Sequence, residues 1–60
     1  MDQTRIHIQV QDLDGMWRMF HTTENNSQRI LSEMKTLKER HPDKRVRAVD
    51  INGRLIDLMG

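Results

Sequence analysis

Asp12-Leu13-Asp14-Gly15 returns in pattern as Asp50-Ile51-Asn52-Gly53, once on each side of the one segment with helical periodicity. A type I turn favours Asp at its first position and Gly at its fourth. With the glycine left-handed, this becomes a three-residue hairpin loop closed by a bulge. A two-residue loop at Asn52-Gly53 would instead set Arg47 against Leu58 and Ala48 against Asp57, mixing apolar and charged side chains on both faces. The three-residue loop sets Val46 against Leu58, Ala48 against Ile56, Arg47 against Asp57 and Asp50 against Arg54. Two of those pairs join opposite charges, each contributing about 0.2–1 kcal/mol, so this is the expected register. In the first hairpin it pairs Ile6 with Thr22, His7 with His21, Ile8 with Phe20, Gln9 with Met19 and Gln11 with Trp17.

The flanking residues agree with two hairpins. Ile6, Ile8 and Val10 alternate with Arg5, His7, Gln9 and Gln11, the period of a strand with one buried face. From Asn25 the period changes, and Ile30, Leu31, Met34, Leu37 and His41 fall on one helical stripe. Asn25, Asn26 and Ser27 are all suitable N-caps, and Gln28 follows Asn25 at capping-box spacing. Pro42 ends the helix, and Lys38, Arg40 and His41 suit the negative end of its dipole. The expected elements are strands at about 4–11, 16–23, 45–50 and 54–59, with a helix at about 26–41.

The expected fold is α+β, a ββαββ chain forming a four-stranded mixed or antiparallel sheet with one helix on one face. The favoured strand order is 2-1-4-3, with the first and last strands parallel in the middle. In topology alone this resembles the small immunoglobulin-binding bacterial domains and the β-grasp folds. The expected core is Ile6, Ile8, Val10, Phe20, Ile30, Leu31, Met34, Leu37, Val46, Ala48, Ile56 and Leu58. So small a core only roughly offsets the entropy of ordering the chain, which makes a homodimer an expectation.

Sixty residues are expected to form a single domain over 1–60. Cysteine is absent, which excludes disulfides and thiolate metal sites. Ten Lys and Arg against nine Asp and Glu give a net charge of +1, so charge alone provides no general attraction to nucleic acid or acidic membranes. No apolar run is long enough to span a bilayer, and Met1 is not followed by a basic and then apolar leader. A cytoplasmic, small bacterial protein is the expectation.

With the helix on one side, the expected register leaves Trp17, Met19, Val49, Leu55 and Met59 on the other, with Arg47 among them. Grouped exposed apolar residues mark contact sites, and Trp and Arg are enriched at interface hot spots. Trp17, Met19, Arg47, Val49 and Leu55 are therefore the candidate protein-binding residues, for another protein or for a second copy. Residues that merely cover a sheet face would look the same. The alternative is a nucleic-acid-binding regulator using Lys35, Lys38, Arg40, Lys44, Arg45 and Arg47, although cations are expected at a helix C-terminus in any case.

No metal, cofactor or catalytic residue is expected. His7 and His21 would face each other, yet zinc takes three or four protein ligands and no third is near. Asp12, Asp14 and Gly15 lack the remaining ligands of a calcium loop. No Ser has a His–acid partner pattern, and the three glycines form no phosphate-binding loop.

Overall fold

The computed structural model describes residues 5–60. It contains β1 (Arg5–Gln11), β2 (Trp17–Glu24), α1 (Ser27–Arg40), β3 (Val46–Asp50) and β4 (Leu55–Met59), each within about a residue of its expected limits. The expected start of the first strand at Thr4 lies outside the described residues.

Both turns take the anticipated form. Gly15 and Gly53 have φ of 83° and 81°. Their amides donate to the carbonyls of Asp12 and Asp50, each at 3.0 Å. The two aspartates do matching work: Asp12 Oδ1 accepts from the amides of Asp14 and Met16, and Asp50 Oδ1 from those of Asn52 and Arg54. The first turn also gains an ion pair, in which Arg18 Nε donates to Asp12 Oδ2 at 2.6 Å.

The helix starts at Asn26, whose side chain accepts from the amides of Gln28 and Arg29. Asn26 rather than Asn25 is therefore the cap. At the other end the His41 amide donates to the Leu37 carbonyl, and Lys38 Nζ donates to the Lys44 carbonyl at 2.6 Å, tying the last turn to the loop before β3.

The sheet order is β2-β1-β3-β4, and every pairing is antiparallel. This corrects the expected 2-1-4-3 order and removes the likeness to β-grasp topology, because β1 pairs with β3 and not with β4. Two physical reasons favour the observed order. Antiparallel pairing is slightly more stable per residue than parallel pairing, and the helix now crosses one intervening strand instead of two. Residue character agrees, since β3 buries Val46 and Ala48 on one side and Val49 on the other, whereas β4 is exposed along most of its length.

The helix lies over β1, β2 and β3 and leaves β4 overhanging. Ile6, Ile8 and Val10 from β1, Ile30, Met34 and Leu37 from α1, and Val46 and Ala48 from β3 form the core, with Met59 packed against it.

Each hairpin begins in the expected register and then slips by one residue. In β2 the extra residue is Phe20: Gln11 faces Trp17 and Gln9 faces Met19, but Ile8 faces His21, His7 faces Thr22 and Ile6 faces Thr23. In β4 it is Ile56: Val49 faces Leu55, but Ala48 faces Asp57, Arg47 faces Leu58 and Val46 faces Met59. The expected pairs Ile8–Phe20, His7–His21, Arg47–Asp57, Ala48–Ile56 and Val46–Leu58 are therefore not formed. Phe20, Leu31, Ile56 and Leu58 leave the expected core and are exposed, and Met59 enters it. The slip has compensations. Arg5 gains Glu24 as its cross-strand neighbour, His21 reaches Glu33 of the helix at 3.3 Å, and Phe20 meets the His41 ring edge to face at 5.4 Å.

Two predictions concern the turns. A Cβ at Gly53 would meet no atom within 4 Å, so Gly53→Ala isolates the cost of a left-handed backbone, about 1–2 kcal/mol in urea unfolding. An unchanged midpoint would contradict the turn geometry. The Asp12 carboxyl is held below its ordinary value, chiefly by the hydrogen bond from the Arg18 side chain, with partial desolvation opposing and the Met16 and Asp14 amides assisting. Because the folded pKa lies below the unfolded one, the associated stability is present above the unfolded pKa and is lost as pH falls through the folded value. An NMR titration should show the Asp12 midpoint rising in Arg18→Gln; identical midpoints would remove the assigned cause.

Candidate interaction face

The side of the sheet away from α1 is ordered by the strand pairings. One row across β2, β1 and β3 carries Trp17, Gln11 and Arg45. Arg45 extends the regular ladder, because the Gln11 amide donates to its carbonyl at 2.9 Å, and Gly60 lies beside its side chain. The second row is Met19, Gln9, Arg47 and Leu58, and the third is Thr22, His7, Val49 and Leu55.

At the centre, Arg47 reaches from β3 across β1 and lays its guanidinium over the Trp17 ring, 4.2 Å from the centroid. Its Nε donates to Gln9 Oε1 at 2.7 Å, which fixes the plane of the group. Thr22 Oγ1 lies 3.5 Å from His7 Nδ1 and within 3.8 Å of Met19 Sδ. The half-buried Trp17–Arg47 stack is thus braced from β1, while Met19 and Leu55 stand about three-fifths exposed on the flanking strands.

Of the candidate residues read from sequence, Trp17, Met19, Arg47 and Leu55 do share this face. Val49 is on it too, but only 4% exposed, so it is floor and not contact surface. Met59 is on the opposite side, and Leu58 takes the outward place that had been expected of it. The sequence signal for that exchange is the pattern of β4 itself: Leu55-Ile56 and Leu58-Met59 are adjacent apolar pairs around Asp57, which no regular alternation accommodates.

The six candidate nucleic-acid residues are divided between the helix, the loop before β3 and the open sheet face. Lys35 and Arg40 are exposed on the helix, Lys38 is occupied with the Lys44 carbonyl, and Arg45 and Arg47 belong to the open sheet face. The histidines are likewise dispersed, with His7 on the open face, His21 on the helix side and His41 at the helix C-cap. Among the described residues no group of three His, Cys, Asp or Glu could hold a metal ion, and no helix is long and apolar enough to cross a membrane.

A shallow depression of about 290 Å³ lies at the outer end of β2, lined by Arg5, His21, Thr22, Thr23, Glu24 and Arg29. The Thr23 hydroxyl there is buried with no hydrogen-bond partner among the described residues, and being covered it offers nothing to a ligand in the depression.

A double-mutant cycle on Trp17→Leu and Arg47→Met should show a coupling of about 0.5–1 kcal/mol, as for a partly exposed cation–π pair. Additive losses would mean that the stack contributes nothing. Comparison of the chain with protein-family models, with curated proteins and with solved structures finds no match.

Proposed function

We propose that this protein is a non-enzymatic interaction module of the cytoplasm, and that the helix-free face of its sheet is the surface on which a protein partner docks. The observation that carries this reading is the Trp17–Arg47 stack bordered by exposed Met19, Leu55 and Leu58. Trp, Arg and Met are the residues enriched in the buried centres of protein interfaces. A braced aromatic–guanidinium pair presents a large rigid area with little entropy left to lose on binding.

The bland alternative is that Met19 and Leu55 shield the sheet and serve the fold. Substituting both by Thr, which keeps β-propensity, separates the two. If the residues serve a partner, Met19→Thr/Leu55→Thr keeps its unfolding free energy within about 0.5 kcal/mol and loses the binding of a hydrophobic dye to the face. Ile8→Ala, in the core, should cost about 2–5 kcal/mol. A loss of core size in the double variant would assign Met19 and Leu55 to the fold and sink the proposal.

A further inference from the structure

Charge is not spread evenly over this molecule. The three rows of the open face contain two guanidiniums, Arg45 and Arg47, and no carboxylate. The acid on that side, Glu24, stands at the corner opposite Arg5. Over the rest of the sequence, eight Lys and Arg stand against nine Asp and Glu. The chain's net charge of +1 thus depends on the two arginines that sit beside Met19, Leu55 and Leu58.

This distribution bears on what can cover the face. Two copies closing face to face would oppose the central cations with Glu24 only at a corner, and like-charge juxtaposition disfavours such pairing. The edges do not invite a second copy either. Both edge strands are interrupted by bulges, β2 at Phe20 and β4 at Ile56, and bulges blunt the pairing of exposed edges. Nucleic acid fits less well than protein, because aliphatic side chains border the cations and, among the described residues, only Trp17 and His7 offer rings on the face.

We propose that the occupant is a segment of another protein that presents carboxylates between apolar side chains. This rests on the reading of the open face as the working surface. Arg47 is oriented for such a ligand: Gln9 holds its Nε and Trp17 holds its plane, and its terminal nitrogens have no partner among the described residues. They can meet a carboxylate as a two-point, charge-assisted pair. Exposed Arg45 supplies a second cation two residues away on the same strand face, and Met19, Leu55 and Leu58 receive the apolar side chains.

The test is selection from a random-peptide phage library on the full chain, followed by titration of the enriched synthetic peptides against Trp17 fluorescence at low and high salt. The expected result is a set of peptides with Asp or Glu set among apolar residues. Their affinity should fall about tenfold or more in Arg45→Gln/Arg47→Gln, fall in Leu55→Thr, and stay unchanged in Lys35→Gln/Arg40→Gln. Enrichment of neutral or basic peptides still lost in Leu55→Thr would overturn the acidic partner and leave the face reading standing. Peptides indifferent to both the Leu55 and the arginine variants would remove the face reading as well. Three other outcomes also overturn the proposal: a wild-type dimer in sedimentation that Leu55→Thr dissolves, tighter binding of single-stranded oligothymidylate than of any selected peptide, and no enrichment above an unrelated protein.

Discussion

The antiparallel pairing of β1 with β3 is the contact from which the rest of the molecule takes its positions. It sets Ile8 beside Ala48 and Val10 beside Val46 under the helix, and Gln9 beside Arg47 on the other side. Because the side-chain period of a strand is two, one register decides both faces at once. The core and the Trp17–Arg47 stack are thus opposite sides of one decision. A change of pairing that kept the hairpins intact would still move Arg47 away from Gln9 and from the ring it covers.

Around that central pair, the two edge strands play a different part. They supply little to the core: buried Thr23 from β2, and Met59 packed on its margin from β4. Each contains one residue too many for regular pairing, and the bulge that absorbs it chooses which side chains face out. In β4 the bulge carries Asp57 to the helix side, opposite Ala48, and leaves Leu58 outside. The result is an edge hard to extend and a face that is apolar at its margins and cationic within. The same irregularity thus shapes the face and blunts the edge.

The legibility of this fold in its sequence follows the range of the interactions. Turns and caps are local, and Asp12, Gly15, Asp50 and Gly53 announce them because few residues satisfy those backbone angles and amides. Element limits follow from the same local chemistry. Strand order is a property of the whole chain, and nothing in Val46–Asp50 names its neighbour. The bulges fall between these cases. Leu55-Ile56-Asp57-Leu58-Met59 visibly breaks alternation, yet whether the slip falls at Ile56 or elsewhere is decided by Val46 and Met59 meeting across the sheet. Trp17, Met19 and Leu55 were placed correctly because they precede the slip in their strands; Leu58 and Met59 follow it and exchange sides. Val49 shows a further limit, since the side of a strand can be read from register while depth depends on its neighbours.

What remains is the allocation of apolar residues. A sixty-residue domain has few to place, and this one leaves Met19, Leu55 and Leu58 in water on a face that α1 does not cover. Exposed aliphatic residues on strands do not by themselves require a partner, since much of any folded surface is apolar. The distinction lies in their arrangement. These three stand on opposite margins of a guanidinium already stacked and hydrogen-bonded in place, so a ligand there would remove apolar area and engage a fixed cation in one step. On a face that is only wetted, holding the arginine still contributes no more than the stability of the stack itself, about 0.5–1 kcal/mol. Under the proposed function, the constraint on Arg47 from β1 on one side and β2 on the other would also lower the entropy lost on meeting a group of opposite charge.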